Sequence, residues 1–599
     1  MGDTDGRSRQ HGALQGVPGL PGPPVTATDT ESGTRTGTDS DTDTDTRGAA
    51  TPGAADAPSG KTSVLRSGAL MAAGSIVSRA TGFIRSAVVV AALGTSLLAD
   101  GYAVANTVPN IIYILLIGGA LNAVFVPELV RAAKEHADGG TAYTDRLLTA
   151  CTVALVALTT VAVFAAPLIV SLYTDYDGSQ ASTTVALARY CLPQILFYGL
   201  FTLLGQVLNA RGRFGAMMWT PVLNNLVIIG VFGLFLVVSQ GSQGGAAGLT
   251  AAETRLLGLG TTLGIVIQAL ALVPSLRAAR FRWRPRFDWR GSGLGRPLRN
   301  ASWLVMLVLT NQIAYWVITR LSTATEQHAV DAGLAGGAGY TAYSNAYQLW
   351  IVPQGIITVS LVTALMPRMS AAATEGDLGA VRRDISYALR SSAALVVPAA
   401  ALFAALAPWV MGSVFEYGRT GAADIEVMAG ILIAFAPGLI AYSAQYVLSR
   451  GFYALSDTRT PFFLNLVIAA LTAGLSAAAY FLLSPRWAVT GMAAASSVAF
   501  LAGAAVTAYA LARRLGPRAG TRMERRATAL RTHLRLLVAC APAAAAGYAA
   551  ARAADPFGDF AALGAGTVAL ALVVVILAGP LRLTEITDML NSLWRRIGR

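Results

Sequence analysis

From about residue 67 onward the chain is a succession of long apolar runs cut by short polar connections. Leu147 to Tyr173 and Phe560 to Pro580 are clear cases. A helix of ~20 apolar residues crosses the hydrocarbon core of a bilayer, so the pattern predicts membrane-spanning helices. Fourteen can be counted, at roughly 67–93, 100–128, 147–173, 185–209, 216–239, 256–276, 301–322, 340–366, 388–411, 427–448, 462–483, 488–511, 534–552 and 561–580. The expected fold is an all-α polytopic membrane protein with 14 transmembrane helices.

The polar connections sharpen this count. With the N-terminus in the cytoplasm, the even-numbered connections carry Arg131, Lys134 and Arg146; Arg211 and Arg213; and eight arginines between Arg277 and Arg299. They continue with Arg368, Arg382 and Arg383, Arg450 and Arg459, and the basic stretch 513–531. The odd-numbered connections hold acids instead: Asp175, Asp177, Glu253, Glu326, Asp331, Glu416, Asp424, Asp555 and Asp559. Basic short loops mark the cytoplasmic side, which places both termini there.

Composition agrees, with 54% hydrophobic residues, 13% charged and a formal charge of +13. Soluble domains carry about 25% charged residues. The positive excess lies in cytoplasmic connections beside an anionic leaflet, so it is no sign of nucleic-acid binding. Cys151, Cys191 and Cys540 form no CxxC, and the four histidines show no HExxH spacing; no metal site, disulfide framework or cofactor is expected. Residues 1–62 hold nine acids and five bases among Gly, Pro, Thr and Ser, which predicts a disordered cytoplasmic tail with no signal-peptide core.

An internal repeat sets the domain plan. Thr220-Pro221-x-x-x-Asn225-Leu226-Val227-Ile228 returns as Thr460-Pro461-x-x-x-Asn465-Leu466-Val467-Ile468, 240 residues on, and Pro127 returns as Pro367. Six spans separate the copies, so they keep one orientation. The expected domains are an N-lobe (63–300, spans one to six), a C-lobe (301–512, spans seven to twelve), spans thirteen and fourteen (513–581) and a short cytoplasmic segment (582–599). Transporters built from two parallel lobes hold substrate between them and alternate access by rocking.

Arg79 and Arg85 stand inside the first span, where each ionised guanidinium costs ~2.5–3.5 kcal/mol on insertion scales. Six residues on a helix separate them by ~9 Å along the axis and about 120° around it. Both can line one water-filled cavity, but a single neighbour cannot hide both. Guanidinium matches phosphate or carboxylate oxygens as a planar fork, and a pyrophosphate headgroup fits best. Of the prolines in or at spans, Pro353 is the hinge candidate, mid-span beside Tyr347, Gln348 and Gln354.

The chain resembles the MurJ/MviN lipid II flippases of the multidrug/oligosaccharidyl-lipid/polysaccharide exporter superfamily, in their actinobacterial type. The resemblance rests on Ser78-Arg79-Ala80-Thr81-Gly82-Phe83-Ile84-Arg85, Ala99-Asp100-Gly101-Tyr102, Val108-Pro109-Asn110 and Ala120 to Pro127 (ALNAVFVP). It continues through Asn209-Ala210-Arg211-Gly212-Arg213-Phe214, Phe415-Glu416-Tyr417-Gly418-Arg419, Gly451-Phe452-Tyr453-Ala454 and Asp457-Thr458-Arg459-Thr460-Pro461. It implies translocation of an undecaprenyl-pyrophosphate-linked peptidoglycan precursor from the cytoplasmic to the outer face. It also implies that Arg79 and Arg85 bind the pyrophosphate and that Asp100 contributes to gating. The sequence departs from many relatives at Ile111-Ile112-Tyr113-Ile114, where they carry a basic pair, at Tyr347-Gln348, where they carry Arg, and at Gly118-Gly119, where they carry Glu-Gly. Tyr113, Asn345 and Gln348 are then candidates for neutral hydrogen bonds in the cavity. Some relatives hold a cation with acids on the seventh and eleventh spans; 301–322 and 462–483 contain none. Coupling to membrane potential is the remaining energy source, and Asn311 and Asn465 read as helix-packing groups.

Rival readings are a flippase for another polyprenyl-linked glycan, a drug exporter, a scaffold of the cell-wall machinery, and a glycosyltransferase resting on the DxD Asp175-Tyr176-Asp177. The aromatic-basic segment 277–299 reads as an interfacial membrane anchor. Some actinobacterial relatives carry a further C-terminal cytoplasmic domain, which is not expected here. The expected partners are lipid II or a similar polyprenyl-pyrophosphate glycan, membrane lipids and cell-wall synthesis proteins, with no nucleic acid.

Overall fold

The computed structural model describes residues 60–597 apart from 116–128, 130, 133, 135–137, 139, 214, 240–248, 289–301, 335–336 and 517–528. The N-terminal tail, the Gly118-Gly119 pair, the whole ALNAVFVP run and much of the basic stretches 277–299 and 513–531 lie outside the described residues.

The described chain is helical. In order come α1 (Gly60–Leu93), α2 (Leu97–Leu115), α3 (Thr141–Phe164), α4 (Ala166–Tyr173), α5 (Gly178–Cys191), α6 (Gln194–Ala210), α7 (Gly215–Ser239), α8 (Ala251–Leu270) and α9 (Val273–Ala278). The second half holds α10 (Ser302–Asp331), α11 (Tyr340–Trp350), α12 (Val359–Thr374), α13 (Leu378–Phe415), α14 (Ala422–Ala454), α15 (Arg459–Leu482) and α16 (Pro485–Arg514). Then follow α17 (Ala529–Ala554), α18 (Asp559–Ala578) and α19 (Thr584–Ile597).

Twelve segments of the described residues are long and apolar enough to cross a membrane. The second and seventh expected spans correspond to α2 and α10, outside those twelve, and the sequence shows why they are less apolar. Asp100, Asn106, Thr107 and Asn110 interrupt α2, and Thr310, Asn311, Gln312 and Arg320 interrupt α10. Both helices face the opposite half of the molecule. Elsewhere apolar side chains point outward: Val568, Leu572 and Ile576, four residues apart on α18, are 59%, 57% and 68% exposed. Such a stripe is a lipid-facing surface rather than a water-facing one.

The helices pair in the same way in each half. In the first half α1 packs on α7, α2 on α5, and α8 on α5 and α7; in the second, α10 packs on α15, α11 on α14, and α16 on α14 and α15. Asn225 on α7 donates to the Ser78 carbonyl (3.0 Å) and the Thr81 hydroxyl (3.0 Å) of α1. Asn465 on α15, its counterpart 240 residues on, donates to Asn311 Oδ1 of α10 (3.0 Å). Interhelical polar pairs of this kind tie helices in lipid, and the Asn311–Asn465 bond is such a pair. The last two long helices, α17 and α18, approach so closely that a Cβ on Gly547 would stand 3.0 Å from the Gly566 carbonyl oxygen. Together they lie against α13.

Two features reshape the expected segments. Helix α10 runs to Asp331, nine residues past the expected end of the seventh span, so Glu326 is a helix residue 3% exposed rather than a loop acid. After Pro353 the chain makes a π-helical turn, Gln354–Thr358, before α12 resumes. Proline cannot donate its backbone N–H, and the wider turn absorbs the break.

Candidate substrate cavity and inter-lobe seal

Five helices of the first half and one of the second enclose a cavity of about 290 Å³. Helix α1 contributes Arg85 and Ser86; α2 contributes Tyr102, Asn106, Thr107 and Asn110. Gln194 and Tyr198 of α6, Thr261 of α8, and Tyr340, Thr341, Ser344 and Asn345 of α11 complete its polar wall. Arg85 is the one charged side chain among those lining it. Local geometry follows from spacing: positions 103, 106, 107 and 110 recur at three and four residues and so form one face of α2. Tyr102 and Thr261 hydrogen-bond across the wall at 2.8 Å, and Gln194 donates to Asn106 at 3.1 Å.

Arg79 is placed differently. It is exposed, six residues before Arg85, and does not line the cavity. Its guanidinium lies against Gly355 in the π turn, where a Cβ would stand 3.2 Å from Arg79 Nη1. The two guanidiniums therefore stand one behind the other along α1, with Arg85 at the inner position. Pro353 immediately precedes the turn that Arg79 touches.

Asn345 lines the cavity and donates to the Thr341 carbonyl (2.9 Å), while Gln348 accepts a hydrogen bond from Ser86 at 3.0 Å, joining α11 to α1. Tyr113 is not among the lining side chains; its ring packs on Tyr198, 4.7 Å between centroids. Sequence reasoning missed Tyr102, Asn106, Thr107, Asn110, Gln194 and Tyr198. The periodicity of polar residues on α2 was the available signal.

Beyond the cavity, toward the ends of the helices that carry the acidic connections, the two halves are bonded together. Asp100 is fully buried and accepts the backbone N–H groups of Tyr340 (2.8 Å) and Thr341 (2.7 Å). A carboxylate of the first half thus caps the N-terminus of α11 in the second. The orphan amides and positive end of a helix favour an anion there. Asp100 and Tyr340 are 240 residues apart, so the contact joins equivalent points of the repeat, where the two copies meet. The Thr95 hydroxyl donates to Asp424 at 2.6 Å, and Arg419 N–H donates to the Ala91 carbonyl at 2.9 Å. Gly418 makes that approach with φ of 64°, its backbone pressed on the Ala91 carbonyl, a conformation that suits glycine. Thr323 donates to the Tyr173 carbonyl (2.8 Å) and Trp316 Nε1 to the Leu172 carbonyl (3.0 Å). Arg320 forms an ion pair with Asp175. The DxD acid Asp175 is thus engaged in holding the halves together.

At the opposite end the segment after α9 folds back onto protein. Phe281 is 4% exposed, Trp283 Nε1 donates to Thr149 (3.3 Å), and Arg146 donates to Asp288 (2.8 Å). The Arg146 guanidinium holds the Asp288 carboxyl below its ordinary range. Of the described aromatics in this segment Phe287 is the outward one, 68% exposed. The anchor expected at 277–299 is therefore, over 279–288, chiefly an intramolecular strap.

The family model for "Lipid II flippase MurJ" matches residues 89–559. The chain belongs to this family. Among curated relatives, the probable lipid II flippase MurJ of Haemophilus influenzae is 26% identical over 457 residues, covering 74% of this chain and 84% of that one. The lipid II flippase MurJ of Burkholderia cenocepacia is 26% identical, covering 64% and 72%. Among solved structures, a lipid II flippase MurJ in an inward closed conformation superposes with a TM-score of 0.67 at 17% identity, over 86% of this chain and 99% of that one. A multidrug resistance transporter of the MATE family, inward-facing, gives 0.59 at 15% identity over 73% and 95%. The likeness to both structures is one of fold.

Proposed function

We propose that this chain moves lipid II from the cytoplasmic to the outer face of the plasma membrane by alternating access, as a transporter and not an enzyme. The observation that carries the reading is a polar cavity at membrane depth whose one charged lining group is Arg85, closed at one end by bonds between the halves. The acidic end is the outer one, because the basic connections lie at the other; both termini are then cytoplasmic.

In this state the substrate reaches the cavity from the cytoplasmic side. Arg79 meets the pyrophosphate first, and Arg85, with Asn106, Asn110 and Asn345, receives it deeper. Neutral amides and hydroxyls share the anion with one guanidinium, which lets it leave again. A cavity of 290 Å³ is at the low end for ligand sites, ~300–1,000 Å³, so it admits the pyrophosphate while sugar and peptide extend toward the mouth. Parting of the outer bonds, with Pro353 and the π turn as hinge, opens the other side. The potential acts on the bound anion, at ~2.3 kcal/mol per charge per 100 mV.

The test is depletion in the native host with a lipid II translocation assay, comparing wild type with Arg85→Ala and Arg79→Ala. Removing one member of a desolvated charged pair costs ~3–5 kcal/mol, so translocation by correctly inserted Arg85→Ala falls by roughly 100-fold or more. Arg79→Ala, at an exposed position, falls less. Normal flipping by Arg85→Ala removes the pyrophosphate assignment. If depletion leaves lipid II translocation intact and stops export of another polyprenyl-linked glycan, the substrate is that glycan.

A further inference from the structure

We propose that Glu326 is a proton-binding site that latches the outer seal: the seal forms with one proton on this carboxyl and opens as the proton leaves. Glu326 is 3% exposed, and its Oε2 has no hydrogen-bond partner. Its other contact is the backbone N–H of Ala338, in the segment leading to α11. The titratable groups that face it from neighbouring elements are Asp100 of α2, Asp424 at the start of α14, and Tyr176 between α4 and α5. A Cβ on Gly339 would press on the Asp100 carboxylate and stand 2.8 Å from the Glu326 Cβ, which shows how closely the groups converge.

The two aspartates are supplied with donors for their charge. Asp100 takes two helix-terminal N–H groups, and Asp424 takes the Thr95 hydroxyl with the N–H groups of Gly337 and Gly421. Glu326 has one N–H and no counter-charge. On its own helix Arg320 is paired with Asp175, and His328 stacks on Tyr480 at 5.8 Å. The Tyr176 hydroxyl, also buried, has the Gln180 side chain beside it and no counter-charge to offer Glu326. A third carboxylate there is desolvated beside two like charges, which disfavours ionisation. A proton taken from water at the outer end removes that charge and adds an O–H donor where the aspartates need nothing more.

The sign follows. In the open state Glu326 is wetted and titrates near the free-glutamate value of about 4.3; in the sealed state it keeps its proton to higher pH. The sealed form is therefore fully favoured at low pH and loses ground as pH rises, by about tenfold per pH unit for one proton. Asp100 of the same cluster accepts two backbone N–H groups, which favour its charge over that of Glu326. Tyr340 joins the latch to the cavity: its N–H meets Asp100 while its side chain lines the pocket beside Thr107.

This inference rests on the alternating-access reading, and one experiment separates the two. Nitroxides on Ser179→Cys and Ala423→Cys, both exposed at the outer end of opposite halves, report seal distance in the full chain in lipid bilayers. The native cysteines are replaced by serine. Expected is a sealed fraction in wild type that falls by about tenfold per pH unit through part of the range from about pH 5 to about pH 9. Glu326→Gln stays sealed across that range. A wild-type distance that responds to lipid II but not to pH overturns the latch alone; a distance that responds to neither overturns the latch and alternating access together. Glu326→Gln retaining the wild-type slope also overturns the latch. Should that variant fail to insert, Glu326→Asp is expected to keep the slope with a moved midpoint, and an unmoved midpoint counts against the site.

Discussion

Asn110 on α2 and Trp350 on α11 are 240 residues apart and hold equivalent places in the two copies of the repeat. Asn110 is exposed on the cavity wall, whereas Trp350 is 0% exposed. Around Trp350 the second half is packed with rings: Phe435 at 5.1 Å, Tyr442 at 5.4 Å and Phe500 at 5.9 Å between centroids. The corresponding positions of the first half are Ile195, Thr202 and Gly260. One helix arrangement thus encloses an open, polar pocket in one copy and an aromatic plug in the other. In the alternating-access reading proposed above, the plugged lobe moves as a rigid body and the open one receives the substrate. The asymmetry divides the work of a rocking transporter between two halves of similar backbone.

The largest test is to give the first half the second half's filling. Asn110→Trp places an indole in the space beside Arg85. Overpacking costs ~1–3 kcal/mol in stability, which leaves a folded protein, but the proposed pyrophosphate site is occupied. Lipid II translocation is expected to fall to the uncatalysed level at near-normal membrane abundance. Transport above about a tenth of wild type would show that substrate does not pass beside Asn110.

The reverse exchange empties the plug. Trp350→Ala removes the buried ring of the aromatic cluster, a change that costs ~3–5 kcal/mol, and thermal unfolding in detergent reads it directly. Trp350→Phe is expected to cost far less, because Trp350 Nε1 has no hydrogen-bond partner to lose. Equal destabilisation by the two variants would mean that the indole nitrogen, not ring packing, holds the plug.

How much of this contrast is legible in the sequence depends on whether it is carried by pattern or by partner. Span positions, the repeat and the two arginines are patterns of hydropathy and charge along one dimension, and α1, α7, α15 and α18 stand where those patterns put them. The cavity wall was half legible, since Asn106, Thr107 and Asn110 lie on one helical face but no long apolar run marks them. Of the seal only Asp100 was legible, by resemblance; its partners were illegible. Asp100 bonds amides 240 residues away, and Glu326 is buried only because α10 continues beyond its apolar stretch and the other half closes over it. The same holds for the aromatic plug: Trp350, Phe435 and Phe500 come from three helices, and each alone reads as an ordinary apolar span residue.

Within the seal a smaller version of the contrast recurs, between a buried tie and an exposed one. Asp100 is fully buried with two N–H donors, while the Arg320–Asp175 pair leaves Asp175 61% exposed and Arg320 26% exposed. An exposed ion pair is worth ~0–1 kcal/mol; two buried amides without an acceptor cost ~1–3 kcal/mol each. Asp175→Asn is therefore expected to shift the sealed-to-open ratio by no more than about fivefold, and by less at high salt. Asp100→Ala is expected to shift it at least tenfold more, with little salt dependence. The same pair of nitroxides at Ser179 and Ala423 measures both. If Asp175→Asn opens the seal as far as Asp100→Ala does, the halves are held by their surface charges, and the helix cap at α11 follows closure rather than causing it.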